Sequence, residues 1–285
     1  MSSRKRAPEG RRKVCLIIID GLRDDTARSE CGYLMAAVEA GRAGYWTMQT
    51  CLPTISAPLY ETIHTGLSPI EHGLLSNEGI RPSPHFNVFS EAVAAGRTTA
   101  AVAHGDFQTL FGGAVFDPFI HVETNDPKGA IQQGRFYSMV GYNRANPTQP
   151  SEVDLCAQTW ALARNHAPDY LLLHSSSCDT LGHFYSGEAS EYRKQAALVD
   201  NALSCLIPRL IAAGYDLLVT ADHGMNAEGQ HGGDSPCLRQ VPFFAFSDRP
   251  APKAGILLDQ RAIAPTILQL LEVPQPKTMT FTSLL

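Results

Sequence analysis

Residues 221–234, ADHGMNAEGQHGGD, concentrate metal-binding side chains directly behind the apolar run YDLLVT. Asp222 and His223 follow that run at once, and His231 comes eight residues later, among four glycines. Aspartate and histidine bind divalent cations, and both also transfer protons in catalysis. Glycines permit tight turns that other residues do not. The segment therefore has the composition of a ligand-bearing loop.

Two further apolar runs end in the same kind of residue. VCLIII leads into IIIDGLRDD, where Asp20 is followed by Gly21, and YLLLH leads into SSSCDTLGHF, where Asp179 and His183 are four apart. That spacing puts Asp179 and His183 on one face of a helical turn. Taken singly, an aspartate after a strand is more often a helix cap, and a histidine is more often an ordinary polar residue.

Together these six residues imply a cation. The carboxyl ends of parallel strands meet at one edge of a sheet, where ligands gather. Three carboxylates placed together need compensating positive charge. Mixed aspartate and histidine ligation suits zinc, or a manganese or iron pair, better than magnesium or calcium.

Ser56 is the candidate nucleophile, within the segment TMQTCLPTISAPLYETIHTGLSPIEHGLLSN at 47–77. It precedes a predicted helix, and Pro58 stands near the first turn, where proline is tolerated. A serine hydroxyl is a weak nucleophile that a metal ion can activate. The local pattern is equally compatible with Ser56 acting only as a helix N-cap.

Short apolar runs alternate with helical patterns over most of the chain. We predict strands at 14–19, 98–103, 170–174, 215–220 and 241–246, and helices near 29–41, 57–65, 86–95, 152–166, 192–210 and 261–272. Continuous apolar runs are typical of strands covered on both faces. This order predicts an α/β fold, a three-layer sandwich with a mostly parallel central sheet. Residues 105–150 lack a sustained period, so we expect an irregular insertion near the site.

The amino-acid composition limits the partners and the cellular compartment that we expect for this chain. The 285 residues are 44% hydrophobic and 18% charged, with a net charge of −5, which favours neither a nucleic-acid polymer nor a membrane as partner. We expect a disordered basic tail at 1–13 and one catalytic domain at 14–285. Seven unpatterned cysteines and the absence of a signal-like segment lead us to expect a cytoplasmic protein.

The motifs resemble the alkaline phosphatase superfamily, and most of all its nucleotide pyrophosphatase/phosphodiesterase branch. The DG after the first strand, P-T-x-S-x-P followed by TGLSPIEHG, then DTLGH, ADHGM and HGG occur in that family's order, from residue 14 to about 247. The resemblance implies an alkaline phosphatase-like fold and two divalent metal ions, zinc or alternatively manganese. Asp179, His183 and His231 would hold one ion. Asp20, Asp222 and His223 would hold the other, beside the Ser56 oxygen.

The resemblance also implies a reaction on small phosphoester substrates. Ser56 would attack phosphorus and form a covalent phospho-serine, so that a nucleotide-like phosphodiester or pyrophosphate is hydrolysed. Leu59 stands where that branch usually has an asparagine, and we take Leu59, Tyr60 and His104 as candidate substrate contacts. The alternatives are a phosphomonoesterase or phosphonate hydrolase of the same superfamily, and a non-catalytic metal-containing binding protein. A sulfatase is disfavoured because SAPLY lacks the arginine of the sulfatase signature, and a phosphoglycerate mutase because its large second domain is absent.

Overall fold

The computed structural model describes residues 11–285. Its strands are β1 (Lys13–Ile19), β2 (Gly44–Gln49), β3 (Thr99–His104), β4 (Glu123–Asn125), β5 (Gln133–Tyr137), β6 (Tyr170–Ser175), β7 (Tyr215–Thr220), β8 (Gln240–Phe246) and β9 (Leu258–Asp259). Its α-helices are α1 (Asp24–Glu30), α2 (Gly32–Glu39), α3 (Ser56–Thr65), α4 (Pro69–His72), α5 (Val88–Ala94), α6 (Gly105–Phe111), α7 (Pro118–His121), α8 (Glu152–His166), α9 (Ser177–Tyr185), α10 (Ser190–Ala212), α11 (Pro236–Arg239) and α12 (Ile263–Leu270).

The nine strands form one sheet in the order β4-β5-β3-β6-β1-β7-β8-β2-β9. Five central strands, β5, β3, β6, β1 and β7, run parallel. All of the side chains from Val14 to Ile19 in β1 are at most 1% exposed. The middle of the sheet is therefore covered on both faces, as the continuous apolar runs predict.

The sheet is mixed, so the expectation of a mostly parallel sheet is confirmed only in part. β8 runs antiparallel to β7, β2 antiparallel to β8, and β4 antiparallel to β5. The physical reason lies in the connection from β7 to β8, which contains only the four-residue helix α11. Parallel neighbours are usually joined by a longer helix that crosses one face of the sheet, and no such helix lies in the described segment between β7 and β8.

The helices gather in two clusters. α10 packs with α8, α9, α1 and α2, whereas α3 packs with α5, α6 and α12. The predicted helix at 192–210 is confirmed, because Tyr192, Val199 and Leu206 are among the buried residues of α10. β2 was not predicted, since GYWTMQ alternates intermediate and buried positions and has no long apolar run.

Residues 105–150 are more regular than their sequence indicates. They contain α6, α7, β4 and β5, and the two strands extend the sheet beyond β3. Irregular chain remains at 138–150, and Arg144 there donates to the Phe184 carbonyl at the end of α9. Of the tail expected at 1–13, residues 1–10 lie outside the described residues. Arg12 is ordered, because it pairs with Asp216 and Asp248.

Candidate active site

Three adjacent strands deliver the three aspartates to one edge of the sheet. Asp20 follows β1, Asp179 lies in the first turn of α9 after β6, and Asp222 follows β7. β6, β1 and β7 are neighbours and parallel, so their carboxyl ends lie side by side. The structure brings these three carboxylates together, as the sequence predicts.

Asp20, Asp222 and His223 form the first cluster, called here the Asp20 group. His223 Nε2 lies 3.5 Å from Asp20 Oδ1 and 3.3 Å from Asp222 Oδ2. All three side chains are buried. These atoms lie within 4.8 Å of one another, close enough to bind one cation together.

Asp179, His183 and His231 form the second cluster, called here the Asp179 group. Asp179 Oδ1 lies 3.4 Å from His183 Nε2 and 3.6 Å from His231 Nε2. The two histidine Nε2 atoms are 3.1 Å apart. The rings of His223 and His231 stack with centroids 3.9 Å apart, so the two groups adjoin. His223 is also near enough to Asp179 and His231 to share a cation with them.

Each of the three histidines is held by its other ring nitrogen. Nδ1 lies 2.8 Å from the Gly229 carbonyl in His183, 2.8 Å from the Thr54 carbonyl in His231 and 3.0 Å from the Gly224 carbonyl in His223. A carbonyl oxygen only accepts, so Nδ1 carries the proton in all three rings. Nε2 is then unprotonated in the neutral ring. This arrangement is typical of metal-ligating histidines.

The carboxylates leave oxygen atoms without hydrogen-bond partners. Asp20 Oδ1, Asp179 Oδ1 and Asp222 Oδ2 are buried, and none of them has a partner among residues 11–285. Such atoms are costly unless something binds them. The three orphaned oxygens and the three unprotonated Nε2 atoms fit two divalent cations.

The pKa values show the same need for positive charge. Burial raises the pKa of Asp179 and Asp222, and the nearby charge of Asp20 raises both further. Burial alone would raise the pKa of Asp20, but the adjacent rings of His174 and His223 outweigh burial and lower it. Burial and then His231 lower the pKa of His223 to about 3, so its ring is neutral at pH 7. A cation would favour ionised carboxylates and neutral imidazoles together.

Two glycines make this edge of the sheet possible. Gly21 has φ of +73°, and a Cβ there would lie 2.8 Å from the Cα of Asp179. Gly229 has φ of +71°, and a Cβ there would lie 2.8 Å from the Gly182 carbonyl oxygen. A side chain at either position would displace Asp179 or His183 from the cluster. The glycine-rich loop of the sequence thus serves close backbone approach.

Ser56 is the first residue of α3, and its Oγ lies 3.1 Å from His223 Nε2. Its side chain makes no N-cap hydrogen bond, because the N-cap position of α3 belongs to Ile55. The interpretation of Ser56 as only a cap is therefore wrong. The hydroxyl points instead to the Asp20 group, with its backbone at the amino end of a ten-residue helix.

The three predicted substrate contacts, Leu59, Tyr60 and His104, have different surroundings in the structure. Leu59 is fully buried, and its contact with substrate stays a prediction. Tyr60 is 2% exposed and donates to Asp20 Oδ2, so it supports a ligand side chain rather than facing substrate. His104 caps α6 by accepting from the Asp106 amide, and its ring lies 5.6 Å from that of Tyr137. Its contact with substrate stays a prediction.

Sequence reasoning missed three supporting residues. Thr54 accepts from the Gly232 amide and donates to the Gly233 carbonyl, which joins the nucleophile segment to the His231 loop. Gln260 donates to the Asp222 carbonyl at 2.9 Å. The side-chain oxygen of Asn77 accepts from Ala57 N at 2.9 Å. Of the three, only Thr54 was signalled by the sequence, because it lies within the P-T-x-S pattern. Gln260 and Asn77 gave no signal, because their contacts join segments that are distant in sequence.

Asn77 supplies a side-chain amide next to the nucleophile segment, which Leu59 does not. Its oxygen is fixed by the residue after Ser56, and its amide nitrogen donates to no group among residues 11–285. The N–H pair of this side chain is therefore unpaired within the described chain and lies beside the amino end of α3, where Ala57 follows Ser56.

Residues 14–240 match the family model described as type I phosphodiesterase/nucleotide pyrophosphatase. The chain belongs to this family. Among curated relatives, the human GPI ethanolamine phosphate transferase 3 catalytic subunit is 23% identical over 292 aligned positions, covering 93% of this chain and 25% of the relative. The chain spans about a quarter of the length of the curated relatives it matches.

Solved structures agree with the phosphodiesterase family on the fold. A 2-O GAG sulfatase superposes with a TM-score of 0.68 at 15% identity, covering 96% of this chain and 73% of that one. An inactive variant of murine ectonucleotide pyrophosphatase/phosphodiesterase 5, in complex with AMP, gives 0.65 at 14% identity, covering 93% and 96%. The resemblance to the alkaline phosphatase superfamily is thereby confirmed. Among residues 11–285, no helix combines the length and apolar character that crossing a bilayer requires.

Proposed function

We propose that this chain hydrolyses small phosphodiesters or pyrophosphates of the nucleotide type, using Ser56 as nucleophile and two divalent cations. The observation that carries the proposal is the position of Ser56 Oγ, 3.1 Å from His223 Nε2 of the Asp20 group, in which Asp20 Oδ1 and Asp222 Oδ2 lack hydrogen-bond partners in the described part of the chain. The family of the chain supports a phosphoester as substrate. The mixture of aspartate and histidine ligands favours zinc, with manganese as the alternative.

Bound at the two groups, the cations would lower the pKa of a bound hydroxyl and stabilise charge on the phosphoryl oxygens. The Asp20 group would hold the ion next to Ser56, and the Asp179 group the other. The histidines and carboxylates of this chain are already oriented for that purpose by carbonyls and backbone amides.

The chain's own groups then define two displacements. Ser56 Oγ gives up its proton and forms a bond to phosphorus while the bond from phosphorus to the leaving oxygen breaks, and the leaving alkoxide or phosphate takes up a proton. Water next attacks the phospho-serine, phosphate or a monoester departs, and Ser56 regains its proton. The amino end of α3 and the amide of Asn77 supply positive dipoles to the phosphoryl oxygens in both steps.

The first experiment compares hydrolysis of bis-p-nitrophenyl phosphate and p-nitrophenyl phosphate by the zinc-loaded full chain, each with a chelated control. We expect chelator-sensitive turnover with a preference for the diester. We expect Ser56→Ala to lower kcat by at least about 10³-fold, because the covalent route is lost. A monoester preference would replace the substrate class, and full activity of Ser56→Ala would refute the nucleophile.

Absence of turnover on both esters, with two ions bound, would favour the non-catalytic binding protein. A phosphonate monoester added to the same assay separates a phosphonate hydrolase from a phosphodiesterase.

A further inference from the structure

The two oxygens of Asp20 have different surroundings. Oδ2 accepts a hydrogen bond from the Tyr60 hydroxyl, and His174 Nε2 lies 3.4 Å from the same oxygen. Oδ1 has no hydrogen-bond partner within the described chain and lies 3.5 Å from His223 Nε2. One oxygen is therefore held by the protein, and the other is left for a ligand.

The hydrogen bonds behind Oδ2 have a single direction. Tyr60 has one hydroxyl hydrogen, which it gives to Asp20, so its oxygen accepts from His174 Nε2 at 2.8 Å. Because Nε2 carries the proton, Nδ1 of the neutral ring accepts from the Tyr137 hydroxyl, also at 2.8 Å. Three side chains from α3, β6 and β5 thus form a chain of donors that ends on Asp20.

Packing fixes this chain in place. The ring of Tyr60 stacks on Phe107 with centroids 4.4 Å apart and meets the edge of His174 at 5.0 Å. His174 is fully buried and also contacts Phe107 at 5.0 Å. A closely packed aromatic side chain cannot turn its hydroxyl away at low cost. The direction of the bond to Oδ2 is consequently constrained.

We propose that Tyr60, His174 and Tyr137 are positioning residues that clamp Asp20 through Oδ2, so that Asp20 binds the cation of its group through Oδ1 alone. The inference rests on the proposed metal-dependent function. The clamp would preorganise one of the two cation sites without touching the substrate. Partners of this kind typically change metal affinity by about 10- to 100-fold.

The test measures zinc binding by the full chain. The protein is first stripped of metal with a chelator, the chelator is removed, and zinc is then titrated in by isothermal titration calorimetry. We expect Tyr60→Phe to weaken one of two zinc sites by about 10-fold or more, because Asp20 loses its restraint. Tyr137→Phe removes the far end of the chain and should weaken the same site less. To identify that site, Tyr60→Phe is combined with His183→Ala, which disables the Asp179 group.

Tyr170→Phe is the matched control. Tyr170 is as buried as Tyr60, and its hydroxyl also meets a buried histidine, at 3.0 Å from His64 Nε2. We expect Tyr170→Phe to bind both ions as the wild type does. Circular dichroism of each chelated variant establishes that it is folded.

Three outcomes overturn the clamp, and they differ in what they say about the proposed function. If folded Tyr60→Phe binds both ions with wild-type affinities, the clamp is refuted while the hydrolase proposal stands. If the wild-type chain binds no ion at the Asp20 group, the clamp and the proposed function fail together. A loss at the Asp179 group alone would also refute the clamp.

Discussion

Replacing Asp222 by asparagine should stabilise the metal-free protein while weakening its response to zinc. Asp222 is fully buried, and its ligand oxygen lies within 4.8 Å of that of Asp20. Two unit charges at this separation repel each other by about 3 kcal/mol at an effective dielectric constant of 20. Asparagine removes the charge but keeps an oxygen that can accept from the Gly21 amide, as Asp222 Oδ1 does.

The pH dependence of this effect has a definite sign. The pKa of Asp222 is raised in the folded state, by burial and by Asp20, so the folded protein binds more protons than the unfolded chain. Its free energy of unfolding therefore falls as the pH rises from about 3.9, the unfolded value, toward the raised folded pKa. Asp222→Asn removes that loss, and the gain over the wild type should grow with pH across this interval.

Urea denaturation of chelated protein at pH 5 and pH 8 measures both effects. We expect Asp222→Asn to be more stable than the wild type by about 1–3 kcal/mol at pH 8, and by less at pH 5. Saturating zinc should reverse the order, since occupancy at 1,000 times Kd adds about 4 kcal/mol per site and the variant loses one site. A chelated variant less stable than the wild type at pH 8 would refute the repulsion argument.

Asp248→Asn is the control for a paired carboxylate. Asp248 Oδ1 lies 2.8 Å from Arg12 Nη2, and the hydrogen bond with Arg12 lowers the pKa of Asp248. We expect this variant to lose a little stability in urea at pH 8 and to keep the zinc response of the wild type.

Two further substitutions test the backbone and the second donor. Gly21→Ala should destabilise the fold by roughly 2 kcal/mol or more in urea and abolish zinc binding, because φ is +73° and the new Cβ meets the Asp179 backbone. Gly41→Ala is the control, because Gly41 has φ of +65° but open space around it. It should cost only the backbone strain of about 1 kcal/mol. Asn77→Asp keeps the acceptor for Ala57 N but loses the amide donor. We therefore expect kcat/KM for the diester to fall by about 10²- to 10³-fold, with little change in the urea midpoint. An unchanged kcat/KM would exclude Asn77 from the reaction.

The two candidate metal-ligand clusters were the most predictable part of the molecule. Asp20, Asp179 and Asp222 each follow a strand that the sequence marks by a continuous apolar run, and parallel neighbours bring such ends together. His183 follows Asp179 by four residues and needs only one helical turn to join it. Local periodicity and topology therefore determine these positions.

Contacts between distant segments were not predictable. Tyr60 was expected to face substrate, but it lies against Asp20 because α3 packs beside the end of β1. Asn77 reaches Ala57 across 20 residues of loop and short helix. β2 and β9 were not predicted because neither has a long apolar run. β2 alternates between intermediate and buried positions, and β9 has only two residues. Pairing partners of this kind depend on tertiary packing.

The covalent step on Ser56 is the central claim, and trapping it is the most direct test. Zinc-loaded protein is mixed with bis-p-nitrophenyl phosphate, quenched in acid within the first turnover, digested and analysed by mass spectrometry, with Ser56→Ala treated identically. The account predicts a phosphoryl ester on the peptide that contains Ser56, and none in the variant. Zinc-dependent turnover by Ser56→Ala at the wild-type rate, with no modified Ser56 in the wild type, would contradict it.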